Sequence, residues 1–326
     1  MTQSCPVCGA AINTSEAEPL TRVGCPSCGQ ETRVERAFDH FEIVETLGVG
    51  GMGTVYKARD THLDRFVALK LLRRDLSGQK DHASRFQHEA RIAGSVNHPN
   101  VIQIFSSGTD HGRFYVVMEL VEGGSLDDRI EKRKRLPEEQ VLESGIQVAK
   151  GLRAAHEQGL IHRDVKPANI LFVDEHTAKI SDFGLAGIAG ATSERETEIW
   201  ATPYYVAPER LSNGPGDFRS DIYSLGATLF HAVAGKAPIE GETNSAAALL
   251  DLKKRPLDLR VMAPGVSEAT ASIFQRMIAP DPAQRFCSYD ELVSQLEEAH
   301  HALKSLDNLD VIRSRWRRWF SRLRNR

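Results

Sequence analysis

No stretch of this chain approaches the roughly 18 uninterrupted apolar residues that a membrane-spanning helix requires. The first residues, Met1 to Cys5, have neither a basic lead nor an apolar core, so no secretory leader is expected and the cytoplasm is the expected compartment. Thiols are almost missing from the bulk of the sequence: four of the five cysteines fall within the first 28 residues, and Cys287 stands alone. That distribution argues against a disulfide framework and for metal binding at the N-terminus, with Cys287 expected as a packed core residue. Internal repeats are absent, as is any low-complexity tract outside the C-terminal arginines. Acidic residues are absent from the last fourteen positions, Arg313 to Arg326, which hold seven arginines. Because the whole chain carries a net charge of -3, everything before that tail sums to about -10.

What is present describes an ordinary soluble globular protein, with 41% hydrophobic and 26% charged residues. At 326 residues the chain exceeds the usual size of one hydrophobic core, so more than one unit is expected. Residues 1–30 are rich in Cys, Gly and Pro with little periodicity. Residues 31–40 are polar and charged and read as a linker. From Phe41 to about residue 300 the texture is that of a large domain, and residues 301–326 form a separate basic tail.

The large domain opens with strand-like stretches at Phe41–Leu47, Thr54–Lys57, Val67–Leu72 and Phe114–Met118. Beyond about residue 125 it turns helical. Glu138 to Glu157 carries Val141, Leu142, Ile146, Val148, Ala149, Leu152 and Ala155 at helical spacing, and Ser220–Val233 and Ser267–Met277 have the same character. Strands followed by helices predict an α+β architecture of two lobes with a cleft between them.

Gly48-Val49-Gly50-Gly51-Met52-Gly53 fits G-x-G-x-x-G, with Val55 two residues on. Glycines are needed where backbone amides must approach phosphates unobstructed, although the same turn also serves plain hairpins. Strand-like sequence follows the loop where a dinucleotide site needs a helix. Val67-Ala68-Leu69-Lys70 sets a lysine at the end of an apolar strand, where it needs an anionic partner. Glu89 lies on the next helix-like segment, Arg85 to Val96. Further on come His162-Arg163-Asp164-Val165-Lys166-Pro167-Ala168-Asn169, then Asp182-Phe183-Gly184, then Ala207-Pro208-Glu209.

In order and spacing these residues resemble the signature set of the protein kinase family, over roughly residues 41–300. Met52 and the phrase from Leu47 to Asp60 resemble its bacterial serine/threonine members. The resemblance implies the bilobal kinase fold, a β-rich N-lobe and a helical C-lobe, and transfer of the ATP γ-phosphate to serine or threonine hydroxyls of protein substrates.

It also assigns roles. Lys70, steadied by Glu89, would hold the α- and β-phosphates, while Asp182 and Asn169 would ligate magnesium. Asp164 would accept the substrate hydroxyl's proton, and Lys166 would stand near the γ-phosphate and mark the serine/threonine class. Leu47 to Gly53, Val55 and Ala68 would enclose the nucleotide. The backbone of Glu119 to Val121 would meet the adenine, with Met118 behind the base or simply packed in the core. Thr202 would order the substrate hydroxyl and Asp164, although Ala201 stands where the family usually has glycine. Asp221 would brace the catalytic loop, and Glu209 and Arg285 would form a buried ion pair.

Thr197, with Thr192 or Ser193 secondary, is the expected autophosphorylation site, because Arg163 beside Asp164 is the type of arginine that pairs with a loop phosphate. A solvated loop is the plainer reading. Two other functional classes compete with an active kinase. A pseudokinase scaffold usually lacks one of Lys70, Asp164, Asn169 or Asp182, and all four are here. A small-molecule phosphotransferase fits poorly with the peptide platform that Thr202 to Glu209 resembles.

Cys5-Pro6-Val7-Cys8-Gly9 and Cys25-Pro26-Ser27-Cys28-Gly29 form paired C-P-x-C-G knuckles with sixteen residues between Cys8 and Cys25. That is the spacing of a four-thiolate, closed zinc site, and the segment resembles a zinc ribbon whose metal would be structural. A thioredoxin-type role lacks the βαβ context. With only Arg22 and Arg33 as nearby cations, a protein or intramolecular contact is favoured over nucleic acid. In the tail, Ile312, Trp316, Trp319, Phe320 and Leu323 share one helical face amid arginines. That face suits an anionic membrane surface, packing back on the kinase, or a nucleic acid.

Overall fold

The fold is given by a computed structural model, which describes residues 2–77, 80–183, 204–212, 216–239, 245–255 and 257–305. The chain divides into two units, Met1–Gly94 with Gln103–Leu120 and Ser95–Ile102 with Val121–Arg326.

In the first unit, each C-P-x-C-G sequence turns a short hairpin: β1 (Thr2–Ser4) pairs with β2 (Ala11–Asn13), and β3 (Arg22–Gly24) with β4 (Glu31–Arg33). The two turns repeat one another, since Gly9 N–H donates to Cys5 O and Gly29 N–H to Cys25 O, each at 2.9 Å. Gly9 and Gly29 sit at φ of +74° and +73°, a conformation that a side chain opposes.

Residues 31–40 are not the linker expected from their polarity. Glu31–Arg33 belongs to the second hairpin, and β5 (Ala37–Phe38) joins a six-stranded sheet. Val34, Arg36 and Phe38 are buried. Alternation at these positions, apolar or long-stemmed side chains every second residue, is the strand signal that the high charge obscured.

The sheet runs β5, β6 (Phe41–Gly50), β7 (Gly53–Asp60), β8 (Arg65–Leu72), β10 (Arg113–Met118), β9 (Ile104–Asp110), antiparallel throughout. Strand β8 leads into α1 (Arg74–Ser77) and α2 (Lys80–Ser95). Because strand side chains alternate, the sheet sorts its residues by parity. Val67, Leu69 and Leu71 join Phe38, Phe41, Tyr56, Ala58, Tyr115 and Val117 in one core cluster, against which Leu20 of the cysteine module packs. The other face holds Ala68 and Lys70, with Met118 and Val116 paired opposite them and Val55 paired with Lys70. Strands β8 and β10 are buried on both faces, which explains their continuous apolar runs.

The second unit is helical: α3 (Leu126–Arg133), α4 (Glu138–Glu157), α5 (Pro208–Leu211), α6 (Phe218–Ala234), α7 (Ala246–Lys253), α8 (Leu259–Met262), α9 (Glu268–Met277) and a helix over 289–305. The small hairpin of β11 (Ile170–Phe172) and β12 (Ala178–Ile180) precedes α5 in the chain. All seven apolar positions that mark α4 in the sequence are buried. Helix α3 starts with a reciprocal capping box, Ser125 with Asp128. Ser267 caps α9 and also donates to Glu138 Oε1 at 2.6 Å, joining the first turns of α9 and α4. Cys287 is exposed, against expectation: its N–H donates to Glu291 Oε2 at 2.9 Å just before the 289–305 helix, so the residue sits at a helix start instead of in the core. No helix among the described residues is long and apolar enough to cross a membrane.

Candidate active site and cysteine centre

The second unit gathers Asp164, Lys166 and Asn169 around one carboxylate. Lys166 Nζ lies 2.7 Å from Asp164 Oδ2, and Asn169 Nδ2 donates to the same oxygen at 3.1 Å and to Asp164 O at 2.8 Å. The Asp164 carboxylate is thus oriented by two donors while its side chain keeps 16% exposure. A short 3-10 turn, Pro167–Asn169, brings Asn169 back over the loop, with Pro167 at a first-turn position where its missing N–H costs nothing.

The loop is held from below by buried groups. Asp221 on α6 accepts from His162 N–H at 2.7 Å and from Arg163 N–H at 2.8 Å. His162 is fully buried, its Nε2 2.7 Å from Ser181 O and its Nδ1 accepting from Asp164 N–H at 3.2 Å. Burial pushes the Asp221 carboxyl up, opposed by the neighbouring His162 ring and the two backbone donors. Ser181 in turn donates its N–H to Asn169 O at 2.9 Å, so the strand leading to Asp182 and the turn carrying Asn169 are tied together. Arg163 and Asp182 both adopt positive φ, 69° and 63°. Two non-glycine residues in this region flank the loop, the kind of backbone strain that functional sites retain. The Phe183 ring lies 4.6 Å from that of His162.

The first unit carries the glycine-rich turn and Lys70. Gly50 pairs with Gly53, so Gly51-Met52 is a two-residue hairpin turn. The glycines differ in purpose. A Cβ at Gly48 would meet nothing within 4 Å, whereas one at Gly53 would lie 2.1 Å from Leu71 O. Gly53 is therefore needed for packing, and Gly48 leaves open backbone. Leu47 and Val49 are exposed, at 46% and 81%. Lys70 is buried on the face of β8 shared with Ala68, Val55 and Met118. Phe86 on α2 stacks on Phe114 of that same face, and Glu89 follows Phe86 by one helical turn. Glu119 donates its N–H to Gln103 O at 2.9 Å. Val121 begins the next part of the second unit.

Glu209 and Arg285 form the expected ion pair, with Arg285 Nη1 and Nη2 at 2.7 and 2.8 Å from the two carboxylate oxygens. The arginine side chain is fully buried and also reaches the carbonyls of Ala279, Arg219 and Pro280. Burial works to raise the Glu209 carboxyl, but hydrogen bonds from Arg285 and Ser220 outweigh it and hold the group below its usual range. Sequence reading missed Lys253 on α7, a buried amine donating to Tyr204 O at 3.1 Å; burial lowers it to about 7. Its place in a largely apolar helix is the signal that could have marked it. Thr202, Ala201, Thr192, Ser193, Thr197 and residues 312–326 lie outside the described residues.

The Sγ atoms of Cys5, Cys8, Cys25 and Cys28 all lie within 4.8 Å of one another, with Cys5–Cys28 at 3.7 Å and Cys8–Cys25 at 3.5 Å. A tetrahedron with metal–sulfur bonds of about 2.3 Å has sulfur–sulfur edges of about 3.8 Å, so the four thiols fit a metal ion. Backbone N–H groups of Cys8 and Val7 aim at the Cys5 sulfur and lower its pKa to about 6.

A scan of protein families matches the protein kinase domain over residues 41–297, and the chain belongs to that family. It is 38% identical over 261 residues to the serine/threonine-protein kinase PknJ of Mycobacterium tuberculosis, covering 78% of this chain and 44% of PknJ. To PrkC, a serine/threonine-protein kinase of Bacillus subtilis, it is 32% identical over 269 residues, covering 82% of this chain and 42% of that one. The crystal structure of the Mycobacterium tuberculosis PknI kinase domain matches with a TM-score of 0.65 at 27% identity, covering 81% of this chain and 98% of that one. The chain therefore spans less than half the length of these two curated relatives.

Proposed function

We propose that this chain is an active serine/threonine protein kinase that moves the γ-phosphoryl group of ATP to serine or threonine hydroxyls of protein substrates. The observation that carries the reading is the Asp164 carboxylate, fixed by Lys166 and Asn169 and backed by the buried His162–Asp221 pair. A carboxylate so oriented can take the hydroxyl proton and aim the oxygen, while Lys166 places a cation beside the developing charge. The Asn169 amide nitrogen is engaged with Asp164, so its Oδ1 is the atom left for a hard cation, and the Asp182 carboxylate is the second ligand. Magnesium bound there would neutralise phosphate charge. Lys70, with Glu89, would hold the inner phosphates beneath the turn from Leu47 to Gly53, and Val55, Ala68, Glu119 and Val121 would meet the base. Thr202 would order the acceptor hydroxyl, and Thr197 would be the principal autophosphorylation site.

The four cysteines would hold structural zinc. The tail would contact an anionic membrane surface, the kinase itself or nucleic acid, and liposome co-sedimentation with and without residues 312–326 separates the first from the others.

A labelled-ATP assay of wild type against Asp164→Asn, followed by phosphosite mapping, tests the central reading. Turnover should fall by about 100-fold or more. Equal activity in the two proteins would overturn the role of Asp164, and an unmodified loop in active enzyme would sink the assignment of Thr197.

A further inference from the structure

Three arginines join the cysteine module to the sheet, and their targets cluster in the loop between β2 and β3. Arg36, 7% exposed, donates to Thr14 O. Arg74 donates to Ser15 O at 2.8 Å and contacts Glu16 Oε2 at 3.4 Å. Arg113, with a side chain 3% exposed, pairs with Glu18 Oε2 at 2.5 Å. Its remaining nitrogens donate to Leu72 O at 3.0 and 2.6 Å. Leu20, at the end of the same loop, packs on the core face of the sheet.

The positions gripped are specific. Leu72 ends β8, two residues after Lys70, and Arg74 opens α1, which leads into α2 and Glu89. The loop 14–20 thus anchors the chain between Lys70 and Glu89 at two points. The loop itself runs from one cysteine hairpin to the other, so its shape depends on the two being pinned together. Beyond the thiols, the hydrogen bonds between the two hairpins among the described residues are Gln3 Nε2 to Arg33 O at 2.9 Å and Glu35 N–H to Gln3 Oε1 at 3.1 Å. Among the described residues, the shared core is Cys5, Ile12 and Cys25, with Ala10 and Val23 against it.

We infer that the cysteine module is a metal-dependent positioning element for the phosphate-binding lysine and its helix, with Glu18 acting through Arg113 and the Ser15 carbonyl through Arg74. This rests on the proposed roles of Lys70 and Glu89. Arg113 is a buried cation whose bonds to Leu72 O hold the end of β8, and Glu18 supplies a carboxylate for that charge. Removing either the carboxylate or the metal releases the same grip.

The test uses the full chain. Glu18→Ala should raise KM for ATP roughly 5-fold or more, at the low end of coupling between sites, while Glu18→Asp restores it in part. Zinc content, measured by elemental mass spectrometry, should stay at the wild-type level. A mere loss of folded protein would lower kcat and leave KM alone.

Hydrogen exchange over residues 70–95 is read in an Asp164→Asn background, so it does not depend on turnover. Stripping zinc with a selective chelator should speed exchange there. In Glu18→Ala the exchange should already be fast and change little further on stripping. Wild-type KM and exchange in Glu18→Ala, or exchange over 70–95 indifferent to zinc removal in the parent, would overturn the inference. Should Glu18→Ala fail to fold, isosteric Glu18→Gln and the zinc-stripped parent carry the same comparison. A fully active Asp164→Asn enzyme would instead break the kinase mechanism and leave the exchange result standing.

Discussion

The cysteine module and the helical unit are stabilised by opposite means. The module's buried cluster is Cys5, Ile12 and Cys25, whereas α6 alone buries fourteen of its seventeen residues. About thirty residues cannot remove enough apolar surface from water to offset chain entropy, so the module would draw its stability from the proposed metal. The helical unit depends on packing, into which a fully buried guanidinium is set because five acceptors meet it. The two regions should therefore fail under different insults, and chemistry directed at one should spare the other.

The largest separation is expected from zinc removal. Structural zinc is worth about 10 kcal/mol or more in small modules, so chelation should abolish protection of residues 2–33 in hydrogen exchange. Residues 216–239 should stay protected; equal loss in both would erase the contrast.

Next comes Arg285→Ala, which strands the Glu209 carboxylate inside the helical unit and should cost about 3–5 kcal/mol in urea unfolding. The Glu209 carboxyl is depressed in the folded state, so its contribution is present above the ordinary carboxylate range. It is lost as pH falls through the lower folded value. The gap between wild type and Glu209→Gln should accordingly narrow in acid, and a gap that widens there would contradict the assignment.

A smaller effect divides the glycine-rich turn. Gly53→Ala drives a Cβ against Leu71 O and should cost about 1–3 kcal/mol in thermal unfolding. Gly48→Ala meets open space, so it should leave stability within about 0.5 kcal/mol while weakening ATP binding. The smallest change is Ser125→Ala, which removes the α3 cap for about 1 kcal/mol and should leave the module untouched.

Much of this was legible in the sequence because the relevant signals are local. The apolar spacing of 138–157 gives α4, and the continuous apolar runs of β8 and β10 give the sheet that carries Lys70. Strand β9 was not foreseen, since Ile104–Asp110 is mostly polar and half exposed at an edge. Residues 31–40 misled through their charge, most of which lies on the outward half of an alternating pattern while Arg36 points inward. Cys287 misled because a thiol's hydrophobicity says nothing of its place at a helix start.

By itself the sequence determined the kinase fold, the residues proposed to handle phosphate and the cysteine pairs that can bind metal. Each rests on short spacings that elementary chemistry constrains. Only the tertiary structure decided that His162 is buried against Ser181 O and that Arg36, Arg74 and Arg113 turn inward to hold the cysteine module against the sheet. An arginine reads alike in sequence whether it faces water or a buried carbonyl. Which one it meets depends on chain segments brought together from up to 95 positions apart.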